Sequence, residues 1–134
     1  MKYLLDTHFV LWSLYKTEKL PNELIEIINN ENNDIYVSTA SIWEIATKHL
    51  KNPKAMPISG IDFYQDCLEN NYYILPILAK DIVDYEELKI NEGQFVNKDP
   101  FDRMLVAQAR HQKYLFCTCD HCMKHYDYSH IICY

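Results

Sequence analysis

The segment KYLLDTHFVLWSLY, residues 2–15, decides the fold that we expect, because a short apolar run leads through a single carboxylate into a longer helical pattern. Lys2 to Asp6 is typical of a buried strand. Thr7 is expected to cap a helix that continues to about Tyr15. The same alternation of short apolar runs and helical stretches recurs along the chain. It favours a parallel sheet flanked by helices, an α/β layered structure.

The other elements follow from the same patterns. The helix expected at 60–70 should bury Ile61, Tyr64 and Leu68 along one stripe, and residues 90–98 form a polar loop. In parallel sheets, ligands gather at the carboxyl ends of the strands, near the point where the strand order reverses. Further strands are predicted at 34–38, 72–75, 115–118 and 131–134, and helices at 41–51, 60–70, 78–88 and 100–113, with one more that begins at Pro21.

Length and charge limit the class of protein. The chain has 134 residues, 49% apolar and 24% charged, which fits one globular domain spanning residues 1–134. Its 13 Lys and Arg residues against 19 Asp and Glu give a net charge of −6. That balance argues against a protein that holds nucleic acid by bulk positive charge. A protein that gathers carboxylates for a purpose remains open.

Membrane and secreted classes are not favoured either. No apolar run approaches the roughly 18 residues of a membrane span, and Asp6 and His8 interrupt the one N-terminal stretch that resembles a leader. Five cysteines without framework spacing suit a reducing compartment better than a disulfide scaffold. We therefore expect a cytoplasmic protein with no membrane partner.

Four acidic residues stand at strand ends or helix starts. Asp6 and Asp120 close apolar strands, whereas Glu44 and Asp102 lie in the first turns of helices. Each has a structural explanation. Asp6 and Asp120 could cap the helices that follow, Ser41 and Glu44 fit a capping box, and Asp102 suits the helix dipole.

Taken together, these four positions favour a metal site. A doubly wound sheet brings the ends of its first and fourth strands side by side, with the two helix starts facing them. Carboxylates about 4 Å apart repel by roughly 4 kcal/mol per pair, whereas a cap contributes only about 1 kcal/mol. A divalent cation offsets that repulsion, and an all-oxygen site suits Mg²⁺ or Mn²⁺.

At these residues the sequence resembles PIN-domain nucleases, in particular the VapC-like toxins of type II toxin–antitoxin systems. The resemblance implies a three-layer α/β/α sandwich with a central, mainly parallel sheet. It also implies RNA cleavage by Mg²⁺- or Mn²⁺-activated water, neutralisation by a cognate antitoxin protein, and a homodimer. The matching stretches, in family order, are LLDTHFVLW at 4–12, VSTASIWEIATKH at 37–49, DPFDRMLVAQA at 99–109, and Thr118-Cys119-Asp120.

The resemblance also implies roles for individual residues. Asp6, Asp102 and Asp120 are expected to bind the metal directly, and Glu44 binds metal or orients the attacking water. Behind them, Thr7 and Thr118 are candidates to support the ligands.

Two basic residues are candidate contacts to substrate phosphates, Lys48 and Arg103. A solvated helix end is favoured over a phosphate contact for Lys48, and a pair to Glu44, one turn before it, is also compatible with the spacing. Arg103 lies one turn after Asp99, so an i,i+4 ion pair is its structural alternative.

The sequence departs from the family pattern in two places. Relatives commonly carry Leu-Pro and a His shortly before DPFDR, where this chain has residues 93–98, GQFVNK, and this leaves the shape of the substrate groove open. Cys119 replaces the usual small residue before the last Asp. Neither change removes an acidic ligand.

Three rival interpretations remain. Cys117, Cys119, Cys122 and His125 have the ligand types of a structural zinc site, although their spacing is unusual and buried, unligated cysteines are common. A PIN fold that kept its shape as a silent interaction module is a second rival. A DNA-directed nuclease on the same fold is the third.

Overall fold

A computed structural model describes residues 1–90, 99–126 and 128–134, without the side chains of Cys122 and Lys124. Apart from Ile90, the loop predicted at 90–98 lies outside the described residues, as does the departure from the family pattern at 93–98. In the described part of the chain, no helix is long and apolar enough to cross a membrane.

A five-stranded parallel sheet forms the centre of the described structure, in the order β3-β2-β1-β4-β5. The first strand is central, and the chain adds two strands on one side of it before crossing to the other side. Leu5 lies opposite Cys117, so β1 and β4 end side by side at the point where the strand order reverses. The strands are β1 Lys2–Leu5, β2 Asp34–Ser38, β3 Tyr73–Leu75, β4 Leu115–Thr118 and β5 Ile131–Cys133.

Helices cover both faces of the sheet, which confirms the expected α/β sandwich. Because successive strand residues point to opposite faces, Leu4 and Phe116 pack with helix residues around Leu105, whereas Leu5 and Cys117 enter a second core. The helices are α1 Thr7–Tyr15, α2 Asn22–Asn29, α3 Thr39–Lys51, α4 Gly60–Glu69, α5 Ala79–Glu87 and α6 Pro100–Gln112, with 3-10 turns at Thr17–Lys19 and His121–His125.

Two predicted helix caps are wrong. Asp6 occupies the N-cap position of α1 but makes no side-chain cap, and Thr7 is already helical. In α3, Ser38 is the cap, since its Oγ accepts from the backbone N–H of Ala40 at 2.9 Å. Ser41 therefore lies inside α3 and forms no capping box. Both helices begin closer to the preceding strand than the sequence pattern suggested.

The predicted apolar stripe of α4 is also wrong. Ile61, Tyr64 and Leu68 are exposed, whereas Phe63 and Cys67 are fully buried. The reason lies at Gly60, where an added Cβ would come within 2.7 Å of the Ala46 Cβ, so α3 and α4 approach closely there. Residues 60, 63 and 67 follow the i, i+3, i+7 spacing of one helix face. That contact turns the predicted stripe outward.

Candidate active site at the carboxyl edge of the sheet

Asp6 extends the pairing of β1 with β4 by one residue, because its backbone N–H donates to the carbonyl of Cys117 at 2.8 Å. Its side chain is only 2% exposed. Oδ2 accepts from the Thr118 hydroxyl at 2.6 Å, whereas Oδ1 is buried and has no hydrogen-bond partner among the described residues. Burial raises the pKa of this carboxyl, and the Thr118 hydrogen bond opposes that shift.

Thr118 connects two of the predicted site residues. Its hydroxyl donates to Asp6 and accepts from the backbone N–H of Asp120 at 3.0 Å. The side chain is fully buried. One hydroxyl therefore fixes the turn that carries Asp120 against the end of β1.

Thr7 makes the corresponding link to α3. Its hydroxyl donates to the Ser41 hydroxyl at 2.8 Å, and both side chains are buried. This bond ties the start of α1 to the helix that carries Glu44. Thr7 and Thr118 thus hold the elements around the carboxylates rather than filling the middle of the site.

Glu44 points inward from α3 and is 3% exposed. Its Oε2 accepts from the Lys48 Nζ at 2.6 Å, which is the i,i+4 pair that the spacing allowed, and Oε1 is buried with no partner among the described residues. Burial lowers the pKa of Lys48, but the hydrogen bond and charge of Glu44 outweigh it, so the net shift is upward. The lysine keeps its charge beside the carboxylate while remaining half-exposed.

Asp102 brings the four predicted carboxylates into electrostatic contact. Asp99 caps α6 by accepting from the backbone N–H groups of Phe101 and Asp102, which places Asp102 in the first turn as predicted. Burial raises the Asp102 pKa to about 8, and the charges of Asp6, Asp99, Glu44 and Asp120 add to that shift. The negative charge of this edge is therefore shared between the end of β1, α3, α6 and the turn after β4.

The donors fit a hard cation. All four carboxylates provide oxygen atoms, the ligands that such a cation prefers. Two of the buried oxygens, Asp6 Oδ1 and Glu44 Oε1, have no hydrogen-bond partner among the described residues. Across residues 1–90, 99–126 and 128–134, however, no three His, Cys, Asp or Glu side chains already enclose a metal position. Like charges repel, so the metal-free arrangement is expected to be more open than a loaded one. A divalent ion would draw these side chains together.

The sequence matches the family model of the PIN domain over residues 3–128. The chain belongs to the PIN domain family. Members of this family are generally nucleases, and they typically use divalent metals.

Solved structures support the same fold. This PIN domain is similar to a chain in the crystal structure of VapBC2 from Rickettsia felis bound to a DNA fragment from their promoter, with a TM-score of 0.67 and 20% sequence identity over 92% of each chain. No curated protein sequence matches significantly. At this identity the likeness establishes the fold alone.

The guanidinium of Arg103 does not form the i,i+4 ion pair with Asp99 that the sequence offered as its structural alternative. Its Nε donates to the carbonyl of Tyr85 at 2.9 Å and its second terminal nitrogen donates to that of Leu88 at 3.3 Å. The guanidinium also lies over the rings of Tyr85 and Tyr126. In this PIN domain the residue holds the end of α5 against α6, and its contact with substrate remains a prediction.

The proposed zinc ligands whose side chains are described do not form a cluster that could hold a metal ion. Cys117 is fully buried in the core beside β1, and burial raises the pKa of its thiol to about 12. Burial also raises the pKa of Cys119 to about 11, with added repulsion from Asp6. Both thiols are therefore protonated near neutral pH in the metal-free protein. Cys122 lies outside the described side chains.

Sequence reasoning missed two aromatic residues beside this site, Trp43 and Phe101. Each directly precedes one of the carboxylates, Glu44 or Asp102. The sequence signal for these two residues is a large aromatic side chain on the polar face of a helix, near the start of that helix. Periodicity alone assigns such a residue to the core.

Proposed function

We propose that this PIN domain is a metal-dependent endoribonuclease toxin of a toxin–antitoxin system. It hydrolyses RNA phosphodiesters with Mg²⁺ or Mn²⁺ and is neutralised by a cognate antitoxin. The observation that carries the proposal is the pair of unpartnered buried oxygens, one on Asp6 and one on Glu44, at the end of the central strand.

No described residue donates a hydrogen bond to these oxygens. A buried polar group without a hydrogen bond costs about 1–3 kcal/mol, and more when it is charged. Asp6 does not cap α1, so capping does not offset that cost. Nearby charges make the cost larger, as the raised pKa of Asp102 indicates. A divalent cation would relieve both penalties at once.

Asp6, Asp102 and Asp120 are proposed to bind the metal, and Glu44 either binds it or orients the attacking water. A bound divalent ion lowers the pKa of its water and stabilises the charge of a phosphodiester under attack. Thr118 holds Asp6 in one rotamer and holds the backbone of Asp120 beside it. Thr7 holds α3, and with it Glu44, against the start of α1.

The basic residues have narrower proposed roles. Lys48 is paired with Glu44, and its half-exposed ammonium group is proposed to contact a substrate phosphate. Arg103 is proposed as a second contact through the part of its guanidinium that the carbonyls of Tyr85 and Leu88 leave accessible.

The partner proposals rest on the family and on the structural likeness. The Rickettsia felis structure is of VapBC2 bound to promoter DNA. By analogy we propose a cognate antitoxin for this chain, a homodimer, and a cytoplasmic location.

The decisive experiment compares RNA cleavage by the wild type and by Asp6→Asn, with Mg²⁺, Mn²⁺ or EDTA. We expect cleavage with either metal, none in EDTA, and a loss of about 100-fold or more in the variant, the scale for removing one electrostatic contact in an active site. Asp62→Asn is the matched control, because it removes one charge from an exposed position on α4. A folded Asp6→Asn protein that cleaves as fast as the wild type would refute the assignment.

The same assay tests the rival functions. Single-stranded DNA as substrate separates a DNA-directed nuclease from a ribonuclease. A wild-type protein that cleaves neither nucleic acid with either metal would be the silent module. Zinc in protein purified without added metal, at about one equivalent, would support the structural zinc site.

A further inference from the structure

An edge-to-face aromatic pair lies beside the candidate active site. The ring centroids of Trp43 on α3 and Phe101 on α6 are 5.0 Å apart, with their planes at 79°. Trp43 is 63% exposed, which is unusual for so large an apolar side chain. Glu44 and Asp102 directly follow these rings in the sequence, so the pair lies one residue along α3 and α6 from two of the proposed metal ligands.

The same two rings line an apolar pocket. Its volume is about 270 Å³. A cavity of about 150 Å³ is enough to hold a benzene ring, so this pocket has room for a planar base. The remaining walls come from the start of α3 and from α5 and α6, at Ala40, Ile82, Tyr85, Pro100 and Met104.

Positive charge contributes little to the binding of a nucleic acid beside this aromatic pair. The net charge is −6. Lys48 is paired with Glu44, and Arg103 donates to backbone carbonyls. Phosphate contacts are normally the main source of affinity for nucleic acids. A substrate must therefore be held in part by contacts that do not depend on charge.

We propose that Trp43 and Phe101 form a stacking platform for an unpaired nucleobase of the substrate, with the adjoining phosphate at the carboxylates. This inference rests on the proposed function and adds a positioning role to it. Aromatic stacking contributes about 1–3 kcal/mol per base and is tolerant of sequence. In a duplex each base is already stacked between its neighbours, so the platform selects single-stranded segments.

Fluorescence of Trp43 provides a direct test, because the chain has two tryptophans and Trp12→Phe leaves Trp43 alone. This variant is titrated in EDTA with a short single-stranded RNA, the same strand with abasic positions, and the corresponding duplex. We expect saturable quenching by the single strand and binding about 5- to 100-fold weaker for the abasic strand. The duplex should leave the emission unchanged.

Kinetics then tests whether the platform positions the substrate. Trp43→Ala should raise the KM for single-stranded RNA by about 5- to 100-fold, whereas Trp43→Phe, which keeps a ring, should stay close to the wild type. Tyr73→Ala is the matched control. It removes a half-exposed ring at the start of β3, on the opposite edge of the sheet.

Three results would overturn the inference. One is a Trp43 emission that no nucleic acid changes, and another is a Trp43→Ala protein with an unchanged KM. The third is a self-association that Trp43→Ala abolishes, because the platform would then be a contact between copies. If RNA quenches Trp43 fluorescence but the wild type does not cleave it, the nuclease proposal is refuted and the platform is retained. If cleavage depends on Asp6 but Trp43 fluorescence does not change, the platform alone is refuted.

Discussion

The buried carboxylates at two places in this protein differ in how their oxygens are hydrogen-bonded. Asp81, at the start of α5, is fully buried and uses both of its oxygens. Oδ1 accepts from His111 Nδ1 at 2.6 Å, and Oδ2 accepts from the backbone N–H of Leu78 at 2.7 Å and from Gln112 Nε2 at 2.9 Å. At the carboxyl edge of the sheet, Asp6 and Glu44 are almost as buried, yet each keeps one oxygen to which no described residue donates.

The difference teaches that burial alone does not mark a functional carboxylate. Asp81 satisfies the donors that face it from the start of α5 and from α6, because each of them donates to one of its two oxygens. It is a structural contact between two helices. At the carboxyl edge, no described residue donates a hydrogen bond to Asp6 Oδ1 or Glu44 Oε1, and we propose that a divalent cation binds there.

The largest effect is expected from Asp81→Ala. The change leaves His111, Gln112 and the Leu78 N–H without their acceptor, so the free energy of unfolding should fall by about 3–5 kcal/mol. Urea denaturation measures it, with Glu86→Ala on the exposed side of α5 as the control. A loss no greater than that of the control would remove the contrast between the two groups.

An intermediate effect is expected from Thr118→Val, which keeps the shape of the side chain and removes its hydroxyl. Asp6 would then lack its one side-chain donor, and the Asp120 N–H would lose its acceptor. The free energy of unfolding should fall by about 1–3 kcal/mol, and the rate of RNA cleavage should fall with it. Thr118→Ser, which retains the hydroxyl, should restore most of both. If serine is as poor as valine, the hydroxyl is not what matters.

The smallest effect is expected from Asp102→Asn, and its sign is opposite. The pKa of Asp102 is raised to about 8 in the folded protein from an ordinary value of 3.8, so ionisation is harder in the native state than in the unfolded one. The wild type therefore loses stability as the pH rises from about 4 to about 8. The asparagine variant, which cannot ionise, is free of that loss.

Asp102→Asn should accordingly be more stable than the wild type in EDTA at pH 8, by about 1–2 kcal/mol once the partial exposure of the side chain is allowed for. The advantage should shrink towards pH 4. Urea denaturation at several pH values measures it. Parallel pH profiles for the two proteins would show that the carboxylates at this edge do not repel one another in the folded state.

The sequence was informative where local pattern and chain topology agree. Strands at residues 34–38 and 115–118 were predicted with their observed bounds, and the parallel pairing of β1 with β4 followed from the alternation of strands and helices. Since parallel strands end at a common edge, Asp6 and Asp120 could be placed together without any knowledge of side-chain contacts.

Local pattern failed where a distant contact decides the outcome. The exposed face of α4 depends on the close approach of Gly60 to Ala46, and no periodicity within α4 contains that information. The hydrogen bonding of Asp81 depends on His111, which is 30 residues away in the chain. Likewise the spacing offers Asp99 as a structural partner for Arg103, which is otherwise a candidate substrate contact, whereas backbone carbonyls at the end of α5 take its hydrogen bonds.

The hydrogen bond from Thr118 to Asp6 joins residues 112 positions apart in the chain. During synthesis, Asp6 and Glu44 leave the ribosome long before Asp102, Thr118 and Asp120 exist. Until β4 is complete and pairs with β1, Asp6 lacks the hydrogen bond from Thr118, and Asp120 has not yet been made. A nascent chain therefore carries no assembled site until β4 and the turn after it have been made.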